Sequence, residues 1–260
     1  MAIWALVTGA SEGLGREFAT LAAKDGFDVI LTARSVDKLQ AHATSLRRAY
    51  NVSVEVMPAD LTDPVAVERL WDQACAGRQI GVLVNNAGLG RNGDLTDADG
   101  WPREADSIAV NVIAATILLK RAAGHMKAQG TGRILNVASV AGFLPGPHMA
   151  VYHATKAYLL SLSEAVAEEL RGSGVTVTAV CPGPTATQFF ASDGAEGKTL
   201  ATRIGLPSAE SMAVAGWAAM VKGRRVKVVG LGNKVFAFLP RLGPRGMVAF
   251  FTGIFLKKRW

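Results

Sequence analysis

Thr8-Gly9-Ala10-Ser11-Glu12-Gly13-Leu14-Gly15 follows an apolar run at Ile3 to Val7 and opens a helical pattern at Leu14 to Lys24. Glycines between a strand and a helix permit a tight turn and a close backbone approach, and the helix N-terminus offers free N–H groups and the positive end of a dipole. A pyrophosphate suits such a turn. The same glycines without the flanking elements would be an ordinary loop, so the context carries the reading. Gly9, Ser11, Glu12, Gly13, Leu14 and Gly15 are thus expected to cradle a nucleotide.

Outward from this turn, short apolar runs recur at Val29 to Leu31, Val52 to Val56, Val82 to Val84, Ile134 to Val137, Val175 to Val180 and Val226 to Val229. Amphipathic helical patterns separate them at Asp37 to Ala49, Pro64 to Ala76, Ala105 to Lys127 and Ala154 to Arg171. Strands apolar on both faces and alternating with helices imply a parallel sheet covered on both sides and joined by right-handed crossovers. The expected fold is α/β, a single-domain, doubly wound, seven-stranded parallel Rossmann sheet. It is expected to span 1–230, with an apolar and basic extension at 231–260. Thr185 to Gly205, mixed in Gly, Ser, Asp and Thr, reads as a lid over a site.

The chain has 260 residues, half of them hydrophobic, enough to bury one large core and to make disorder a poor reading. Cys75 and Cys181 match no metal-ligand spacing and are too few for a disulfide framework, which points to a reducing, cytoplasmic setting and to no metal. The first ten residues read as strand and turn rather than as a leader. A net charge of +7 draws nucleic acid, membranes and small anions alike. No base-reading motif appears, so nucleic acid is not the expected partner; an anionic cofactor and some membrane affinity are.

Asp60 with Leu61, and Asn85-Asn86-Ala87-Gly88, follow the third and fourth runs, where ligands bind in open α/β sheets, although both read equally as turn or cap chemistry. Tyr152 and Lys156 stand four apart in a helical pattern and share a face. A phenol of pKa about 10 serves as a base at neutral pH only if lowered by ~3 units, about 4 kcal/mol of preferential phenolate stabilisation. A nearby ammonium can contribute to that.

Together these residues resemble the short-chain dehydrogenase/reductase family through about residue 230. The motifs are the glycine turn at 8–15, Asn-Asn-Ala-Gly at 85–88, Asn111, Ser139 in Asn-Val-Ala-Ser, Tyr-x-x-x-Lys at 152–156, and Pro182-Gly183. The resemblance implies catalysis by Asn111, Ser139, Tyr152 and Lys156. Ser139 would bind the substrate oxygen and Tyr152 would exchange its proton. Lys156, together with a cationic nicotinamide, would lower the Tyr152 pKa; Lys156 would also hold the nicotinamide ribose, and Asn111 would fix a water. It also implies that Asn86, Ala87, Gly88, Pro182, Gly183, Thr185 and Thr187 contact the cofactor, and that the protein is a homodimer or homotetramer.

Family members that use NAD usually carry an acidic residue where Arg34 stands, and no carboxylate lies between Val29 and Val36. Arg34, helped by Ser35 and Lys38, can bind a 2′-phosphate, so NADP(H) is the expected cofactor. Glu12 departs from this pattern, since its position is often basic in NADP users. Ala141, Phe143, Leu144, Met149, Phe189 and Phe190 would form an apolar pocket for a hydrophobic ketone or acyl-type carbonyl, with buried core as the competing reading. His148 and His153 read as pocket lining or surface. The tail is too short and interrupted to span a bilayer; it is expected to cover the pocket, form an oligomer contact or lie on an anionic membrane. It resembles endings in a subgroup related to long-chain ketoacyl and steroid reductases. The competing functions are an NAD-dependent alcohol dehydrogenase and a non-catalytic nucleotide-binding scaffold.

Overall fold

The computed structural model describes residues 2–183 and 208–257. The predicted lid, with Thr185, Thr187, Phe189 and Phe190, therefore lies outside the described residues. Seven strands form one sheet in the order β3-β2-β1-β4-β5-β6-β7, and every pairing is parallel. They are β1 (Ile3–Thr8), β2 (Asp28–Thr32), β3 (Val54–Val56), β4 (Gln79–Asn85), β5 (Gly132–Val137), β6 (Val175–Cys181) and β7 (Val226–Val228). Strand order reverses between β1 and β4, which opens a crevice at their carboxyl ends.

Alternate residues of each strand feed two cores. Ala5, Val7, Val29, Leu31, Val82, Val84, Leu135 and Val180 pack with α1 (Gly13–Lys24), α2 (Val36–Tyr50) and α7 (Ala209–Val221), where Phe18, Leu39 and Trp217 supply bulk. Leu6, Ile30, Leu83, Ile134 and Val177 face α3 (Pro64–Cys75), α5 (Ala115–Gln129) and α6 (Ala150–Glu169), with Trp71, Leu118 and Met126 between. Each fully buried Val, Leu, Ile, Phe or Met among them contributes about 1.5–3 kcal/mol.

Three boundaries differ from the sequence reading in ways that matter. The helix expected at Ala105 begins at Trp101, with Pro102 in its first turn, and runs as α4 (Trp101–Ile108), a π-helical segment (Ala109–Ala114) and then α5. The helix α6 starts at Ala150 rather than Ala154, so Tyr152 lies in its first turn. Finally, α7 had no counterpart in the reading. It is apolar nearly all round because it is wedged between α1 and β6, and a Cβ on Gly216 would stand 3.1 Å from Val180 Cγ1 and 3.3 Å from Phe18 Cζ. Two further helices, α8 (Leu231–Phe238) and α9 (Arg245–Leu256), follow β7.

Candidate active site

The glycines of the first turn each meet a distinct demand. Gly9 and Gly13 have φ of +64° and +55°, in the region that side chains disfavour. Gly15 is helical, but a Cβ there would lie 2.1 Å from Gly9 O and 2.5 Å from Asn86 Nδ2. Thr8 locks this turn to the end of β4: its Oγ1 accepts from Asn86 N and Ala87 N, both at 2.9 Å, and donates to Val84 O at 3.3 Å. Asn86 Nδ2 returns a bond to Thr8 O at 2.9 Å. Glu12, the N-cap of α1, makes no side-chain capping bond, so the helix start keeps N–H groups and a dipole end for an anion. That uncapped terminus beside a glycine-lined surface fits a dinucleotide pyrophosphate.

At the end of β2, Arg34 and Ser35 are exposed, and Ser35 caps α2 without a side-chain bond. Lys38 Nζ lies 2.7 Å from Glu12 Oε2, so the carboxylate noted as a departure is paired with one of the expected phosphate ligands. Asp60 Oδ1 accepts from Thr62 N at 3.0 Å and Thr62 Oγ1 at 2.8 Å. These bonds hold its carboxyl below the usual range, and nearby Arg34 adds to the effect. Its side chain thus closes a turn, while the side chain of Leu61 belongs to the second core.

The four predicted catalytic residues converge. Asn111, in the π-helical segment, donates to Leu89 O at 2.7 Å and to Thr155 Oγ1 at 3.0 Å, and its Oδ1 accepts from Leu89 N at 2.9 Å. Asn85 Nδ2 bonds Ala115 O at 2.8 Å just beyond that segment. A Cβ on Gly88 would stand 3.2 Å from both Asn111 Oδ1 and Lys156 Nζ, so these three positions enclose one point. Lys156 is buried, donates to Val137 O at 2.9 Å, and lies 5.8 Å from the centroid of the Tyr152 ring. Ser139 Oγ accepts from Ala141 N at 3.1 Å and shares a hydrogen bond with the Tyr152 hydroxyl.

Desolvation pushes the Tyr152 phenol up to about 12, and the Ser139 bond pulls against it. Burial draws Lys156 down to about 8. In the protein by itself the ammonium is turned to Val137 O and burial dominates at the phenol; the expected depression of Tyr152 belongs to the site with a cationic nicotinamide beside Lys156. Backbone contact holds α6 in place. A Cβ on Gly142 would come within 2.8 Å of Lys156 O, and one on Gly146 within 2.2 Å of the His153 ring.

Among the predicted pocket residues, Ala141, Leu144 and Met149 are buried, and Phe143 packs on a small cluster of Leu160, Ala179 and Cys181, as core would. Met149 and Tyr152 line a small cavity with Arg91, Glu104 and Ser107. His153 Nδ1 pairs with Leu144 O at 3.0 Å, which makes it a buried support. His148, at φ +64°, pairs with Asp94 at 2.5 Å near the surface. Pro182 O accepts from Val140 N at 3.0 Å, and Gly183 lies against Asn233. Thr155 and Arg91 were not singled out in the sequence, and Thr8 only as the first residue of the glycine turn. Thr155, whose Oγ1 also donates to Tyr152 O at 2.8 Å, sits between Tyr152 and Lys156, and a hydroxyl at that helical spacing was the available signal.

A profile of the short chain dehydrogenase family matches residues 3–197. Human 17-beta-hydroxysteroid dehydrogenase type 3 is 33% identical over 183 residues, covering 70% of this chain and 59% of that protein. Human very-long-chain 3-oxoacyl-CoA reductase is 32% identical over 194 residues, covering 72% and 60%. The matches thus span about 60% of these relatives' length. Among solved structures, a short-chain dehydrogenase from Sphingobium yanoikuyae in complex with NADPH has a TM-score of 0.82 at 30% identity, covering 95% of each chain. One from Burkholderia phymatum in complex with NAD has a TM-score of 0.83 at 27% identity, covering 93% of each.

Proposed function

Because the chain belongs to the short-chain dehydrogenase family of oxidoreductases, we propose that it is an NADP(H)-dependent enzyme interconverting a hydrophobic ketone or acyl-type carbonyl and its secondary alcohol. The observation that carries this reading is the Tyr152 hydroxyl bonded to Ser139, with Lys156 behind it, at the carboxyl ends of β5 and β6 beside the glycine turn. The relatives' names, a hydroxysteroid dehydrogenase and a 3-oxoacyl-CoA reductase, support a bulky apolar carbonyl substrate.

The glycine turn and the start of α1 would hold the pyrophosphate, and Arg34, Ser35 and Lys38 the 2′-phosphate. The bound dinucleotide supplies the hydride chemistry. The protein's own residues manage the proton. A phenol near 12 stays protonated throughout neutral pH, so Tyr152 is set to donate to a carbonyl oxygen held by Ser139. In the oxidative direction the same hydroxyl would take up the alcohol proton only with added phenolate stabilisation, so the site itself sets no direction of net reaction. Asn111, fixed at both its amide atoms, positions Leu89 and Thr155 around Lys156.

The test is a titration with NADPH and NADH, followed by nicotinamide fluorescence and repeated with Arg34→Asp. Preference for NADPH that weakens or reverses in the variant supports the reading. Tight NADH binding indifferent to Arg34 would favour an NAD-dependent alcohol dehydrogenase, and binding of neither would favour a non-catalytic scaffold.

A further inference from the structure

Both helices of the tail turn an apolar stripe outward. Leu231, Val235, Phe238, Leu239 and Leu242 recur at one-face helical spacing, and each is more than half exposed. In α9, Met247, Phe250, Phe251 and Ile254 stand at i, i+3, i+4 and i+7 and are 55–65% exposed. A stripe with this spacing ordinarily faces the core. Here the opposite side packs inward: Ala237 and Thr252 are buried, a Cβ on Gly253 would lie 3.2 Å from Pro147, and Phe236 and Phe255 meet at 6.0 Å. Nine large apolar side chains exposed on and beside two neighbouring helices mark an interaction surface.

Charge indicates the partner. Residues 211–260 contain ten Lys or Arg and no Asp or Glu, whereas residues 1–210 hold eighteen cations against twenty-one anions. Lys234, Arg241, Arg245 and Lys257 are exposed on or beside the two helices. A second copy on this face would bring two such cationic segments together, since a two-fold interface repeats the same patch on both sides.

Crossing a bilayer is excluded for α9. Its 12 residues reach ~18 Å against a hydrocarbon core of ~30 Å. The helix Trp101–Gln129 is long and apolar enough to cross, but Val110, Leu118, Leu119 and Met126 hold it in the sheet's core.

We propose that the outward face of α8 and α9 docks on an anionic lipid bilayer, with both helices lying in the plane of the interface. Docking stands on the apolar and charge pattern alone. A consequence rests on the function proposed above: α8 packs on the turn at 140–143, next to Ser139, so a docked molecule would present the rim of its site to the membrane and draw a lipid-soluble carbonyl from it.

The experiment is flotation of the full chain with vesicles of phosphatidylcholine alone, and with about one-third phosphatidylglycerol, beside NADPH titration and analytical ultracentrifugation. Expected is partition onto the anionic vesicles that high salt weakens. Replacing Phe250, Phe251 and Ile254 by serine, or Lys234, Arg241 and Arg245 by glutamate, should lower it about a hundred-fold with NADPH binding unchanged. Absence of partition, or partition that neither set of changes alters, would overturn docking. A dimer without vesicle affinity that the serine variant splits would overturn it in favour of a second copy. Vesicle partition in a protein that binds neither dinucleotide would leave docking intact and sink the enzymatic reading.

Discussion

Replacing Glu12 by glutamine should sharpen the preference for NADPH. Glu12 Oε2 lies 2.7 Å from Lys38 Nζ, and the two side chains are 47% and 53% exposed, so the pair contributes at most about 1 kcal/mol to stability. Its loss should move the melting temperature little. The effect on binding is larger, because Glu12 both occupies Lys38 and sets a negative charge beside the phosphate cradle. Removing one unit charge about 8 Å from another in water is worth about 0.5 kcal/mol, and a 2′-phosphate carries more than one charge. Freeing Lys38 for a charge-assisted bond adds a comparable amount. The sum is about 1–1.5 kcal/mol, a five- to ten-fold lower Kd for NADPH. NADH shares the pyrophosphate but lacks the 2′-phosphate, so it should gain only the Coulomb share there, about two- to three-fold. Fluorescence titration of both dinucleotides at low and high salt measures this, and the gain should shrink with salt. Equal tightening for both dinucleotides, or weaker NADPH binding, would refute the assignment of Lys38 to the 2′-phosphate.

Tyr152→Phe should cut NADPH-dependent ketone reduction about 10²- to 10⁴-fold while leaving NADPH affinity unchanged; unaltered turnover would remove Tyr152 from the proton path. His42 is buried against Thr20 and lowered by desolvation to about 4 from 6.5. Its neutral form therefore contributes stability in full above pH 6.5 and loses it as pH falls toward 4, about 3 kcal/mol in all. Urea melts should show that decline in the native protein and a flatter profile in His42→Leu; parallel profiles would exclude His42 as the cause. Two glycine changes should have opposite signs. Gly15→Ala, with its Cβ against Gly9 O, should cost about 1–3 kcal/mol and abolish dinucleotide binding. Gly124→Ala, with nothing within 4 Å on the exposed face of α5, should add about 0.5–1 kcal/mol, as thermal denaturation can check.

The sheet was legible because a strand buried on both faces reads as an uninterrupted β-branched run, and a crossover helix keeps its polar side. The same logic hid α7. Lodged between α1 and β6, it has no polar face to set a period, so its sequence carries composition without a pattern. Motif spacing located the site residues, but their partners were out of reach. Asn111 is aimed by a π-helical segment whose bonding depends on Leu89 and Thr155, 22 and 44 residues away in the chain. The burial of the Tyr152 hydroxyl was equally hidden, because no local pattern encodes it.

The tail marks the sharper limit. A stripe at i, i+3, i+4 and i+7 states that one face of a helix is apolar, but not whether that face turns to the core or away from it. In α1 the apolar face turns inward, with Phe18, Ala19 and Ala22 fully buried, while in α9 the same spacing of Met247, Phe250, Phe251 and Ile254 turns outward. What separates them is the other face. Gly253 of α9 lies against Pro147 and Thr252 beside it is buried, whereas the outer face of α1 carries Arg16, Glu17 and Lys24. In α9 the small residues lie opposite a cation-flanked apolar stripe, and the helix packs by that small side. That pairing of faces, more than hydrophobicity itself, is what separates α9 from α1 in the sequence.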